Sequence, residues 1–299
     1  VKILLDNVNL NSSSGPNSFG KRLKLEIENL RLHSFVEEEP DVQLSFIAAS
    51  RKLAPLALRL DGIYFNTIQD WKALNEPLRR SYELSDIVIF QSQFNKTLTE
   101  KYFGIAKNSV VINNGTCMKC LDKISPMQAA ELDKFSEVWS CSSSWRPHKR
   151  LKENVRYFLE KAPKDACLVV AGENPDYIVK DSRILYAGHL PWDKCISLYK
   201  RSKVFLHLAF LDHCPNVVVD ARASGCHIVV SSSGGTKEVA GQNATIVQDI
   251  EWDMSPLELY RPPPLNPELT YKNDIQSNID IGFVASLYTE ALMSICEVK

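Results

Sequence analysis

The feature that most constrains this chain is an alternation, repeated twice, of short apolar runs with longer segments of helical spacing. Among the 299 residues, strand-like runs fall at 2–5, 43–48, 56–60, 86–91 and 109–112, then at 137–142, 166–171, 183–186, 203–208, 227–231 and 244–247. Between them, Phe19, Leu23, Ile27 and Leu30 recur at helical spacing, and 71–84, 93–103, 151–161, 192–201, 215–223 and 237–240 read as further helices. Strands that alternate with helices predict parallel sheets with helices on their faces. Arg261-Pro262-Pro263-Pro264 with Pro267 suits neither a helix nor a central strand, so it reads as a stiff connector.

The fold class expected is therefore α/β, with two Rossmann-like domains facing across a cleft. The first spans 1–114 and the second 115–272, with the crossing at Asn113-Asn114-Gly115; a closing helix over 273–299 is able to return to the N-terminal domain. Ligands of open α/β sheets lie outside the carboxyl ends of the strands, which directs attention to the strand-end turns.

Composition removes several function classes. A formal net charge of -1 gives no overall attraction to a polyanion, so no nucleic-acid partner is expected. No apolar run approaches the roughly 18 residues that span a bilayer. The eight cysteines are scattered, and Cys117 and Cys120 form a CxxC with no second pair at zinc-ribbon spacing. Reduced thiols and the lack of a signal-like apolar segment point to a cytoplasmic protein. The 19–33 helix carries Lys21, Arg22, Lys24 and Arg31 around its apolar stripe. That leaves a peripheral membrane contact open beside the plainer reading of a face packed on the sheet. His148, His189 and His213 do not have metal-ligand spacing and read as polar turn residues, so no metal is expected.

Two stretches concentrate the chemistry. The first runs from Asp212-His-Cys-Pro-Asn through Asp220 and Gly225 to Ser231-Ser-Ser-Gly234-Gly235-Thr-Lys-Glu238. Pro215 suits a first helical turn and Gly225 a helix end, so the helix start at Asn216 and Val217 offers its positive end to a phosphate. Asp220, one to two turns in, suits a ribose diol, and Asp212 a sugar hydroxyl. The second is Ser142-Ser-Ser-Trp145-Arg146-Pro147-His148-Lys149-Arg150-Leu151, where three cations within five positions at a strand-to-helix turn form an anion site. The competing reading of each is a solvated charged surface.

The acidic stretch resembles the acid-x7-acid signature of retaining GT-B glycosyltransferases, family 4 (glycosyl transferases group 1). Trp145–Leu151 resembles the arginine-lysine stretch that holds the donor diphosphate there. The resemblance implies that Arg146 and Lys149 hold the diphosphate, Asp212 contacts the donor sugar and Asp220 the ribose. It further implies that the turns at Gly172 and at Leu190 pack on the base, and that Gly15, Asn17 and Gly20 lie near the reaction centre. Asp61, at a strand end, is placed to touch the acceptor or the donor sugar. Both signature acids are Asp where the family usually has Glu, and Arg150 stands where it usually has Gly. The implied reaction moves a sugar from a UDP- or GDP-sugar to a glycan, lipid or protein-linked acceptor, with retention and without a required metal or other cofactor.

Two alternatives stay open on the sequence. One is a non-catalytic subunit that binds nucleotide sugar or glycan. The other is a P-loop NTPase, because Gly15-Pro-Asn-Ser-Phe-Gly20-Lys21 formally satisfies GxxxxGK, although Arg22 replaces the magnesium-binding hydroxyl. No strand is followed by GxGxxG and no GxSxG occurs, which argues against an NAD oxidoreductase and a serine hydrolase.

Overall fold

Five-residue runs such as VQLSF and LALRL are buried along their whole length, the pattern of strands covered by helices on both faces. The computed structural model describes residues 1–31 and 33–296. The chain divides into two compact units, one built from Val1–Cys117 with the segment from Asn278 onward, the other from Met118–Ser277.

The first unit contains β1 (Lys2–Asp6), α1 (Gly15–Asn29), β2 (Ser34–Phe35), β3 (Val42–Phe46), β4 (Leu56–Leu60), α2 (Trp71–Leu84), β5 (Ile87–Phe90), α3 (Gln93–Phe103) and β6 (Ser109–Val111). Its sheet has the order β2-β1-β3-β4-β5-β6, parallel throughout. The second unit contains α4 (Met118–Asp122), α5 (Ala130–Asp133), β7 (Glu137–Ser142), α6 (Leu151–Lys161), β8 (Ala166–Ala171), β9 (Ile184–Gly188), α7 (Trp192–Arg201), β10 (Val204–His207), α8 (Asn216–Ala223), β11 (His227–Ser231), α9 (Thr236–Ala240), β12 (Thr245–Val247) and β13 (Thr270–Lys272). Its order is β13-β12-β11-β10-β7-β8-β9, with β13 the antiparallel member at one edge. The last helix, α10 (Ile281–Ile295), belongs to the first unit.

Helix limits differ from the sequence expectation where caps decide them. Helix α1 begins at Gly15, with Ser14 at the cap and Pro16 in the first turn, and it ends at Asn29 rather than at His33. The terminal helix starts at Ile281 and not near 273, because the Asp280 carboxylate accepts the Gly282 and Phe283 amides and caps it there. Residues 270–272 form an edge strand instead, and the expected end of that helix at 298 lies outside the described residues. Cys117 and Cys120 are disulfide-bonded, which corrects the expectation of reduced thiols throughout; the other six cysteines form no disulfide.

The stripe of α1 is consumed by the core. Phe19, Leu23 and Ile27 are fully buried in one cluster with Leu44, Phe46, Ile89 and, from α10, Val284, Ala285 and Tyr288. Among the described residues no helix is long and apolar enough to cross a membrane.

A buried arginine organises the carboxyl side of this unit. Arg59 is 1% exposed and pairs with Asp61. Its Nε donates to the Tyr288 hydroxyl (3.2 Å), and its Nη2 donates to Asn114 Oδ1 (2.9 Å) and Gln91 Oε1 (3.3 Å). Phe19 and Phe46 rings lie 4.6 and 4.8 Å from the guanidinium carbon. One cation thus ties β4, the ends of β5 and β6, and α10. Tyr288→Phe removes one charge-assisted bond, and denaturant unfolding is expected to show a loss of about 2 kcal/mol.

Candidate functional site

In the second unit, β8 and β9 lie on one side of β7 while β10, β11 and β12 lie on the other. The strand order therefore reverses between β7 and β10, and their carboxyl ends flank the crevice that such a reversal opens. Both chemically rich stretches of the sequence emerge there, one after each strand.

After β7 the chain runs through Trp145, whose indole Nε1 donates to Ala171 O (3.0 Å), and enters a 3-10 turn at Pro147–Lys149. Gly172, at φ +115°, permits this course, since a Cβ there would overlap the Ser143 carbonyl oxygen. Arg146 is exposed, and its guanidinium makes no hydrogen bond or ion pair among the described residues. Lys149 Nζ lies 2.5 Å from Asp212 Oδ2, with both side chains less than a fifth exposed.

Arg150 departs from its neighbours. It takes a left-handed backbone conformation (φ 53°), one that glycine adopts at lower cost, and its side chain turns inward. The guanidinium is 1% exposed and bidentate to Asp249, at 2.6 and 3.2 Å, with a further bond to Pro263 O at 2.7 Å. Phe210 stacks 4.8 Å from its centre. Of the three cations in the turn, Arg150 is thus structural and fastens the turn to the proline-rich connector.

After β10, Asp212 sits in a loop seated on the Gly-Gly turn. Gly235 N donates to Asp212 O (2.8 Å), and a Cβ on Gly234 (φ +77°) would overlap that same carbonyl. The Asp212 carboxylate also receives His213 N on Oδ1 (3.0 Å), and its Oδ2 is 2.9 Å from His207 Nε2. Burial alone would raise its pKa, but the Lys149 charge and the His207 hydrogen bond hold it well below the carboxylate range. Burial lowers His207, against the pull of Asp212, which keeps the ring neutral near pH 7.

Asp220 is 4% exposed on α8, and its Oδ2 accepts the indole N–H of Trp192 at 3.0 Å. Trp192 opens α7 and remains 37% exposed. Asn216 and Val217 form the first turn of α8, half-buried, and Leu190 lies half-buried after β9. Gly172 and Leu190 thus follow neighbouring strands, on the same sheet edge as Arg146, Lys149, Asp212 and Asp220.

The remaining expected residues belong to the first unit. Asp61 pairs with buried Arg59, and its backbone oxygen accepts from the Gln91 amide, so it closes the arginine cluster. Gly15 is the first residue of α1. Asn17, in its first turn, accepts Asn9 N (2.9 Å) and donates to Ser14 Oγ (2.8 Å), and Gly20 is buried against Val8. This segment is helix where a P-loop is a phosphate-wrapping loop, so the GxxxxGK match lacks its structural context.

The expectation of polar turn histidines is corrected for His148, which is buried and stacked on Tyr260 (5.5 Å between ring centroids, 20° between planes). Burial, reinforced by Lys149, lowers its pKa to about 3, and burial lowers His213 to about 4. His189 is exposed, 3.8 Å from Glu173. Among the described residues no group of three or more His, Cys, Asp or Glu is placed to hold a metal ion. Sequence reasoning missed His207, Trp192 and the Arg150–Asp249 pair. An unusual His at a strand end and a cation at a position requiring φ > 0 were the available signals.

Comparison with known proteins places this unit. Residues 141–254 match the family described as glycosyl transferases group 1. No curated protein matches the sequence. Among solved structures, HepE of Anabaena in complex with UDP-glucose is 14% identical with a TM-score of 0.66, over 98% of this chain and 99% of that one. AviGT4, a glycosyltransferase of avilamycin A biosynthesis, is 13% identical with a TM-score of 0.65, over 99% and 98%. Sucrose-phosphate synthase of Thermosynechococcus elongatus is 12% identical with a TM-score of 0.61, over 99% and 96%. The α/β architecture of two Rossmann-like domains is thus the GT-B fold anticipated from the sequence.

Two outcomes are expected from this geometry. Asp249→Ala strands the buried Arg150 charge and costs about 3 kcal/mol or more in denaturant unfolding. His148 and His213 stay neutral in the folded protein and protonate near 6.5 when unfolded. Their native-state contribution is therefore present above that pH and is lost as pH falls from about 6.5 toward about 4 and 3. His148→Phe, which keeps the ring on Tyr260, flattens that decline when stability is measured against pH.

Proposed function

We propose that this protein is a glycosyltransferase that moves a hexosyl or pentosyl group from a UDP- or GDP-sugar to a glycan, lipid or protein-linked acceptor. The observation that carries the reading is the ion pair, at the strand-order reversal, between Lys149 of the β7 turn and Asp212 of the β10 loop, with Arg146 exposed in the same turn. The match of residues 141–254 to glycosyl transferases group 1 supports it independently. The UDP-glucose complex of HepE, a structure of the same fold, supports the UDP arm.

In this reading the departing nucleoside diphosphate gathers negative charge as the sugar becomes oxocarbenium-like. Arg146 and Lys149 meet that charge, joined by the amides of Asn216 and Val217 at the start of α8. Lys149 exchanges part of its contact with Asp212 for a phosphate oxygen. A carboxylate offers about four acceptor positions, and Asp212 uses three, so one remains for a sugar hydroxyl. Asp220, oriented by the Trp192 indole, contacts the ribose diol, and the turns at Gly172 and Leu190 flank the base. Acceptor recognition is assigned to the N-terminal unit, with Gly15 and Asn17 at the start of α1 nearest the reaction centre. The displacement proceeds on one face with retention, and charge stabilisation rests on the protein's own cations.

Turnover against a panel of activated sugars tests the assignment, and NMR of the product reads the anomeric configuration. Lys149→Ala and Arg146→Ala are each expected to lower kcat about a hundredfold. Donor binding without turnover favours the non-catalytic alternative, and an inverted product rules out retention.

A further inference from the structure

His207 ends β10 and is 4% exposed, yet none of the roles assigned above involves it. Its Nε2 lies 2.9 Å from Asp212 Oδ2, the same oxygen that holds Lys149 at 2.5 Å. Asp212 is ionised between these partners, so it can only accept, and the Nε2 nitrogen must carry the imidazole proton. The three groups form a chain of contacts from a strand end, through a carboxylate on a loop, to the Lys149 ammonium.

Each link supplies what the next one lacks. A lysine ammonium rides on a flexible stem with about 2 kcal/mol of rotamer entropy, so it is fixed only if something holds it. An Asp carboxylate has a broad terminal torsion and cannot hold a partner in one direction unless it is itself oriented. The His213 amide fastens Oδ1, and His207 fastens Oδ2 from the strand. The carboxylate plane is then set from both sides, and its direction toward Lys149 is set with it.

We propose that His207 is a positioning residue that acts through Asp212 to hold the Lys149 ammonium where the donor diphosphate binds. The inference rests on the donor reading given above. It makes Asp212 the middle of a relay in addition to a sugar contact. Electrostatic stabilisation is greatest when the charge is in place before the reaction demands it, so an oriented lysine favours the diphosphate in binding and in departure.

The test is a double-mutant cycle on the binding of UDP and GDP, measured by calorimetry with the full chain. His207→Phe is expected to weaken binding of the nucleoside diphosphate about tenfold in the wild-type background. In the Lys149→Ala background it is expected to change nothing further, because the relay then has no end. His207→Gln, whose amide reaches as far as Nε2, is expected to bind like wild type, and the shorter His207→Asn like His207→Phe. This Gln–Asn contrast decides the matter if the Phe variant fails to fold. Equal weakening in both backgrounds, or no weakening in either, overturns the relay while leaving the donor reading intact. A wild-type protein that binds neither UDP nor GDP overturns the donor reading and the relay with it.

Discussion

A charge buried almost completely is what the second unit is arranged around. Arg150 and Asp249 are both at most 1% exposed at their side chains, one at the turn after β7 and the other after β12. Desolvating such a pair is unfavourable unless the geometry is bidentate and the leftover donors find acceptors. Here the Pro263 carbonyl takes one of them and Phe210 covers the guanidinium face. The result is a clamp that holds the left-handed residue, the 3-10 turn before it and the stiff connector beyond β12. Arg146 and Lys149 belong to the same short turn, so both owe their placement to the inward cation. An anion site made from neighbouring residues would otherwise suffer mutual repulsion and a floppy backbone. Neutralising one of the three in the interior relieves both.

The second unit was the more legible half. The runs at 137–142, 166–171 and 227–231 and the helices at 151–161 and 192–201 keep their limits in the structure, because buried strands and amphipathic helices are set by local periodicity. The acid and cation stretches announce themselves by charge next to turn residues. What stayed hidden depends on partners remote in sequence. Arg150 looks like one more surface cation until Asp249 is brought to it across 99 residues. Asp61 looks available until Arg59 is seen to be buried beside it, and an arginine inside a strand gives no sign of the four groups it gathers. His207 and Trp192 are single residues without a pattern, each visible only through the carboxylate it holds. Helix limits that depend on a cap, as at Asp280, shift by several residues against a reading by periodicity alone.

The two acids of the signature differ in their surroundings. Asp212 is held by a cation, a histidine and an amide in the loop after β10. Asp220 is more deeply buried and has an indole N–H on one oxygen. Each carries one methylene fewer than Glu, so each reaches a shorter distance from its backbone. The structure places support behind both: the Gly-Gly turn lies against the Asp212 loop, and a tryptophan reaches over to Asp220 from the preceding helix. In the proposed reaction this makes the loop positions, rather than the side-chain lengths, the determinants of which sugar is accommodated.

The path of the chain through the two units has its own consequence. The second unit is one continuous stretch, whereas the first is closed only by a segment from the far end, with α10 packed against α1. Tyr288 meets Phe19 and Arg59 across more than two hundred positions. During synthesis the half that begins first therefore finishes last, after the other has been made in full. Until then the face of α1 that α10 covers, with Phe19 at its centre, stands open to solvent. The slow, long-range closure is the vulnerable moment for misassociation, and the apolar face left waiting is the surface a chaperone would meet.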